Sequence, residues 1–264
     1  MTRPELFQDV PAFIAEILAR RGVASTQELE LKLKHLLAPS LKGLNEAIQL
    51  MDAAIDQQHK IVIVGDYDAD GATSTALMIL ALREMGAQVE YLVPDRFKYG
   101  YGLTPAIADL AFTSFTPDLL ITVDNGISSH DGVKQAQDHG MQVIITDHHL
   151  TTKPTPSAQA VVNPNQLGCD FPSKALAGVG VAFYVLANLS TYRKKLHKSS
   201  AVMSQYLDLV ALGTYADVAS LDYNNRILVD VGLKRIQQHL CRPGISALLE
   251  IAGREAATLK AQDL

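Results

Sequence analysis

The sequence predicts an α/β fold, a parallel β-sheet flanked by helices, with a helical lead-in before it and a helical part after it. Two observations carry this prediction. From Lys60 onward short apolar runs alternate with amphipathic stretches, and three of those runs end in acidic or histidine-bearing segments. Repeated βα units imply parallel strands with helices on the faces of the sheet. In an open sheet of that kind the carboxyl ends of the strands converge on one crevice, so residues far apart in sequence meet there.

The elements follow in order. Before Lys60 the spacing of apolar residues by three and four predicts helices over PAFIAEILARRG, over TQELELKLKHLL with Thr26 as cap, and over LNEAIQLMDAAIDQQ. The alternating region then reads KIVIVG as a strand, GATSTALMILALREMG as a helix, QVEYLV as a strand and TPAIADLAF as a helix. It continues with the strand DLLITV, the helix SSHDGVKQAQDHG and the strands MQVIIT and AQAVVN. The prolines of TTKPTPS make residues 151–157 a surface loop. After Lys174 the chain reads as helical through LAGVGVAFYVLANLS, SQYLDLVALGTYA, ILVDVGLKRIQQHL and GISALLEIAG.

Composition narrows the class. With 264 residues, 48% of them hydrophobic, the chain is long enough for one large core or two smaller ones. No apolar run reaches the length of a membrane span, and MTRPELFQDV is charged and lacks the core of a signal peptide, so the expected location is cytoplasmic. Cys169 and Cys241 stand alone, which suggests neither a zinc site nor a disulfide framework. The 23 Lys and Arg residues against 28 Asp and Glu give a net charge of −5, so a polyanion would meet at most a local patch, such as Arg96 with Lys98. The run Arg193, Lys194, Lys195 and Lys198 reads as a solvated helix end before it reads as a binding surface.

The chemistry sits at the strand ends. Asp66, Asp68 and Asp70, then Asp124, then Asp147, His148 and His149 place seven ligand-type side chains around one crevice. Carboxylates that close raise one another's pKa unless a cation compensates them. In GDYDADGATST an extended chain would point its three carboxylates the same way, and Gly71 permits a turn into a helix whose first amides, near Thr73 and Ser74, suit a phosphate. A Walker-type loop is excluded because no Lys follows the second Gly, and a calcium loop lacks its bidentate Glu. Asp124, at the end of an all-apolar strand, could bridge two metals, although an Asp before Asn-Gly is equally a turn former and helix cap. His148 and His149 on an extended segment point to opposite sides, so one can ligate metal while the other contacts substrate or is held by a nearby carboxylate. GVGVAF at 178–183 lacks the strand and third glycine of a dinucleotide turn, and helix packing explains it better.

Taken together, GDYDADGATST, VDNGISS, TDHH and GTYADV at 213–218 resemble the four motifs of the DHH phosphoesterase superfamily. With YLVPDRFKYGYGL, VVNPNQ, FPSKALAGVGVAFY, LVALGTYADVASLD and NNRIL added, the chain is similar over nearly its whole length to the bacterial RecJ-type single-strand-specific exonucleases. The resemblance implies that Asp68, Asp70, Asp124, His148 and Asp217 are metal ligands and that Asp66 and His149 assist catalysis or contact the scissile phosphate. On sequence alone Asp217 could equally be a helix cap. Two ions, Mn²⁺ or Mg²⁺, are implied, in keeping with a donor set that contains no thiolate. Also implied are 5′-to-3′ hydrolysis of single-stranded DNA in repair and recombination, single-stranded DNA as partner, and a single-strand-binding protein and a repair helicase as further partners. Val64 departs from the pattern, standing four residues before Asp68 where related phosphoesterases often carry His, which implies a looser hold on one ion. The alternatives are a DHH phosphoesterase acting on short oligonucleotides, cyclic dinucleotides or pyrophosphate, and a non-catalytic DNA-associated scaffold. The expected organisation is a helical region over 1–58, a phosphoesterase core over 59–225 and a helical segment over 226–264 leading towards a DHHA1-type domain. Members of the family continue into that domain and an OB-fold, whereas this sequence stops at KAQDL, so the expectation is a truncated member with its metal site whole and its strand-binding half missing.

Overall fold

A computed structural model describes Phe7 and residues 10–264; the rest of the expected lead-in, residues 1–6 and 8–9, lies outside the described residues. Five parallel strands form one sheet: β1 (Lys60–Gly65), β2 (Gln88–Leu92), β3 (Leu119–Val123), β4 (Gln142–Thr146) and β5 (Ala160–Val162), in the order β2-β1-β3-β4-β5. The inner strands β1, β3 and β4 are almost wholly apolar because both faces are covered, so alternate side chains enter different cores, whereas the edge strand β2 (QVEYL) buries Val89 and leaves Glu90 and Tyr91 exposed. On one face Ile61, Ile63, Leu119, Ile121 and Ile144 join the larger core. On the other, Val62, Val64, Leu120, Val143 and Ile145 join a second.

The larger core is closed by α2 (Leu44–Asp56), α3 (Ala69–Glu84), α7 (Gly178–Lys195), α8 (Leu207–Ala216) and α9 (Tyr223–Gln237). The smaller is closed by α5 (Pro105–Phe115) and α6 (His130–Asp138). Local chemistry starts these helices where it should. The Asp68 carboxylate accepts the Gly71 amide at 2.9 Å, Thr104 caps α5 ahead of Pro105, and Asp222 accepts the Asn225 amide at 2.9 Å. The remaining helices are α1 (Ala12–Arg20), the four-residue α4 (Arg96–Tyr99), which periodicity did not reveal, and α10 (Pro243–Ile251). Among the described residues no helix is long and apolar enough to cross a membrane. Helix α9 runs unbroken across residues 225–226 and lies so close to α8 that a Cβ on Gly232 would fall 2.0 Å from the Leu207 carbonyl oxygen.

One expected helix does not form. TQELELKLKHLL instead makes two 3-10 turns, Thr26–Leu29 and Leu33–His35. Leu29, Leu31 and Leu33 alternate with polar residues at a spacing of two, which gives no continuous helical stripe. The carbonyls of Gln27 and Glu30 accept hydrogen bonds from the Tyr223 hydroxyl, and Glu28 pairs with Arg226 at 2.9 Å, so the segment is tied to α9 in an irregular form.

The basic run at 193–198 is divided. Lys194 and Lys195 are exposed, as expected of a helix end, but Arg193 is buried and reaches Asp52 at 2.5 Å and Asp56 at 3.1 Å on α2. Lys198 meets the same two carboxylates at 2.7 and 2.5 Å. The Arg193 Nε donates to the Ser199 carbonyl at 2.9 Å, leaving its guanidinium committed to the fold. Arg193→Ala removes the buried one of the two cations that meet Asp52, which is itself buried, and leaves it only the more exposed Lys198. The expected loss is about 3 kcal/mol in denaturant unfolding, and a loss under about 1 kcal/mol would place the pair among surface ion pairs instead.

Candidate metal centre

The chain leaves β1 for the β2 edge and then crosses back to build β3 on the other side of β1, which makes the gap between β1 and β3 a topological switch point. Asp66, Asp68 and Asp70 follow β1, Asp124 follows β3, and Asp147, His148 and His149 follow β4. Side chains stitch the strand ends beneath them. The Asn125 amide donates to the carbonyls of Val64 at 3.1 Å and Val123 at 2.9 Å, and the Thr122 and Thr146 hydroxyls each donate to a neighbouring carbonyl at 2.7 Å. Asp124 turns the chain with φ of +60°, a left-handed conformation that Asp tolerates better than most residues.

Around Asp124 the ligand atoms fall into overlapping groups, each with all atoms within 4.8 Å of one another: Asp66, Asp68 and Asp124; Asp70, His148 and Asp217; and Asp124, His148 and His149. All seven residues named as metal-binding or catalytic from the sequence are therefore in one place. His148 is the hub. Its Nε2 lies 3.1 Å from Asp124 Oδ1 and 3.8 Å from Asp70 Oδ2, and its Nδ1 lies 3.9 Å from Asp217 Oδ2. Asp217 arrives from the helical part of the chain as the residue that caps the end of α8.

Three details differ from expectation. Asp66, Asp68 and Asp70 do not fall in one group, because the strand ends at Gly65 and Asp70 already lies in α3; Asp66 and Asp68 group with Asp124, and Asp70 with His148 and Asp217. The amide offered by the start of α3 is taken by Asp68 itself, and the Thr73 hydroxyl bonds the carbonyls of Ala69 and Asp70, so a phosphate does not find a free cradle there. Asp147 is not in the centre. Its Oδ1 accepts the amides of His148 and His149 at 2.7 and 3.0 Å and the His149 Nδ1 at 2.7 Å, while Oδ2 accepts the Ile127 amide at 2.8 Å. That bend brings the two imidazoles to one side, with ring centroids 4.6 Å apart, instead of opposite sides.

Sequence reasoning also missed what holds the ligands. The first amides of α7, from Gly178 and Val179, donate to the two oxygens of Asp70 at 2.6 and 2.8 Å, so GVGVAF is a carboxylate-binding helix start, not helix packing alone. A Cβ on Gly178 would stand 2.7 Å from the Asp124 Cβ, and one on Gly213 would stand 3.2 Å from Asp70 Oδ1. Asn163 and Asn165, from VVNPNQ, donate to the carbonyls of His149 at 3.0 Å and His148 at 2.5 Å. The only signal for these residues was their glycine or asparagine identity beside the motifs.

A profile described as the DHH family, N-terminal domain, matches residues 60–214, from β1 through nearly all of α8. The chain belongs to the DHH family. Among relatives, it is 51% identical over 268 residues to the "Single-stranded-DNA-specific exonuclease RecJ" of Dickeya dadantii and 48% identical over 268 residues to that of Escherichia coli. Each match covers 98% of this chain and 46% of the relative, so the chain spans about half the length of the curated relatives it matches. A solved structure of RecJ with Mn²⁺ from Thermus thermophilus is similar with a TM-score of 0.80 at 33% identity, covering 99% of this chain and 37% of that one.

The electrostatics of the DHH centre follow from crowding in a dry place. Burial, with the charges of Asp70 and Asp68 added, pushes Asp124 up to about 8. Burial, with Asp217 added, pushes Asp70 up to about 6 even though two amides hold it. Burial also raises Asp66 and Asp217, with Asp68 repelling both. For His148 burial opposes the charge, but Asp124, Asp70 and Asp217 outweigh it and raise the imidazole to about 9. Asp124 Oδ1 and His148 Nε2 are buried without a hydrogen-bond partner, since their short separation lacks the alignment for one. Orphaned donor atoms among carboxylates and imidazoles, with Cys169 and Cys241 in none of the ligand groups, fit a hard divalent cation.

Two outcomes follow. Asp70, Asp124 and His148 all keep protons to higher pH in the fold than in the unfolded chain, so each makes the metal-free protein less stable as pH rises, Asp70 from about 4 to about 6, Asp124 from about 4 to about 8 and His148 from about 6.5 to about 9. Cation binding needs the deprotonated forms, so the rise in melting temperature produced by saturating Mn²⁺ should be larger at about pH 8.5 than at about pH 6; an equal rise at both would contradict these shifts. Gly178→Ala removes no ligand, yet its methyl displaces Asp124. Calorimetric titration should show Mn²⁺ affinity reduced by roughly tenfold or more with the circular dichroism unchanged.

Proposed function

We propose that the chain is the catalytic part of a metal-dependent exonuclease that hydrolyses the phosphodiester bonds of single-stranded DNA from the 5′ end, in DNA repair and recombination. One observation carries the chemistry: a single carboxylate, Asp124, belongs both to a group with Asp66 and Asp68 and to one with the histidines, the arrangement a two-cation phosphodiesterase needs. The names of the relatives supply the substrate.

In this proposal Asp68, Asp70, Asp124, His148 and Asp217 hold two divalent cations, Mn²⁺ or Mg²⁺. When bound, the cations polarise the scissile phosphate and make water a nucleophile at neutral pH. The chain's own residues do the rest. His149 is fixed through Nδ1 by Asp147 and presents Nε2 beside the Tyr101 hydroxyl at 3.2 Å; with its side chain 45% exposed, it can donate to a phosphate oxygen as charge develops there. The Asp147 carboxylate, hydrogen-bonded to the ring, raises the pKa of His149. Asp66, raised by burial, stands beside Asp68 and Asp124 and is suited to take up a proton during turnover. Its Oδ2 lies 3.7 Å from an Arg96 nitrogen, and that guanidinium lies over the Tyr67 ring at 3.7 Å, which holds a cation at the edge of the acidic centre. A cavity of about 420 Å³ opens beside His149, between Tyr101 and the start of α6.

We also propose the division into a lead-in over 1–58, a core over 59–225 and a following segment over 226–264. A cytoplasmic setting belongs to the same proposal, as do a single-strand-binding protein and a repair helicase as partners. Asp124→Asn keeps the shape of the side chain and removes its charge. Mn²⁺-dependent release of nucleotides from a single-stranded oligonucleotide should fall by at least about a hundredfold. A variant near the parental rate would sink the assignment of the centre.

A further inference from the structure

The end of α8 holds a residue that its backbone does not favour. The Val218 amide donates to the Tyr215 carbonyl at 3.0 Å and the Ala219 amide to the Thr214 carbonyl at 3.4 Å, the paired bonds of a Schellman ending. That ending requires a left-handed residue just after the cap, a place usually filled by glycine. Here it is Val218, with φ of +55°. Branching at Cβ makes valine one of the side chains least suited to that region.

Packing does not account for the choice, because Val218 is 87% exposed. Local hydrogen bonding does not either. Among the described residues six non-glycine residues have positive φ, and only Thr116 and Val218 are β-branched. The Thr116 hydroxyl donates to the Phe115 carbonyl at 2.8 Å and accepts from Lys60 at 3.3 Å, whereas the Val218 side chain has no polar atom. Strained residues persist where the surroundings hold them in place and gather where function uses them. Val218 directly follows Asp217, which shares a ligand group with Asp70 and His148. Two other ligand-bearing turns also carry exposed apolar side chains, Tyr67 between Asp66 and Asp68, and Leu150 after His149.

We infer that Val218 is a substrate-contacting residue, whose isopropyl group meets the base or sugar of the nucleotide next to the reacting phosphate. The left-handed turn aims a side chain outward at the rim of the centre, and the apolar group is retained there for contact. An unpaired nucleotide offers an apolar face that a duplex hides in its stack, so this contact favours single strands without reading their sequence. The inference rests on the proposed nuclease function of the centre.

Three variants of the 264-residue chain test it, assayed with Mn²⁺ and oligothymidylate for melting temperature, Mn²⁺ affinity, kcat and KM. Val218→Gly should melt higher than the parent, because the strain is gone, and show a roughly tenfold higher KM, the scale of burying one valine side chain, with kcat and Mn²⁺ affinity little changed. Val218→Ile should keep the parental KM. His239→Gly relieves the same left-handed conformation at the distant end of α9 and should raise the melting temperature without moving KM. A parental KM in Val218→Gly, a lower melting temperature, or a weakened Mn²⁺ affinity would each overturn the inference while leaving the nuclease function standing. A parent that neither binds nor cuts the oligonucleotide would overturn both.

Discussion

Burial of Asp70 and Asp124 within reach of Asp66, Asp68 and Asp217 is the constraint on which the rest of the structure depends. Five carboxylates in so small a volume repel one another, and desolvation adds to the cost of ionising the two that are buried. The fold meets that cost in three ways. Without metal it sets the imidazole of His148 in the middle as a cation, it aims the first amides of α7 at Asp70, and it leaves Asp124 Oδ1 and His148 Nε2 without hydrogen-bond partners, where a metal ion could take the place of the imidazole proton. The third is the functional one, since a centre neutralised entirely by protein groups would have nothing to offer a cation.

The sheet exists in the form it does because of that centre. Its order brings β1 and β3 side by side at the switch point, and Asn125 ties their ends together with two hydrogen bonds. Asp147 performs the same task one strand further on, binding the His148–His149 turn to the amide of Ile127. The glycines at 178 and 213 let α7 and α8 approach closely enough for backbone amides and Asp217 to reach the site. A candidate ligand set drawn from four separate stretches of chain is thereby held by the ends of rigid elements.

Much of this was legible in the sequence. The inner strands were plain because covered faces make them almost wholly apolar, and the motifs gave the residues that meet, including Asp217, which by itself could have been a cap. What sequence did not show falls into two kinds. A helix was expected over TQELELKLKHLL although its leucines alternate at a spacing of two, and the tie from Tyr223 and Arg226 that fixes the segment in an irregular form is a tertiary effect that the local sequence does not show. Likewise the direction of a side chain beyond a strand end depends on where the strand stops. Asp66, Asp68 and Asp70 separate for that reason, and Asp147 turns inward to hold its neighbours, although an extended chain would have grouped all of them. The burial of Arg193 is of the same kind, since Asp52 and Asp56 lie more than a hundred residues away in the chain.

Diffraction at the manganese absorption edge, from crystals of this chain grown with Mn²⁺, tests the central claim most directly. Two anomalous peaks are expected, one beside Asp68 and the other among Asp70, His148 and Asp217, with Asp124 touching both. A single peak, or two peaks that do not share Asp124, would contradict the account.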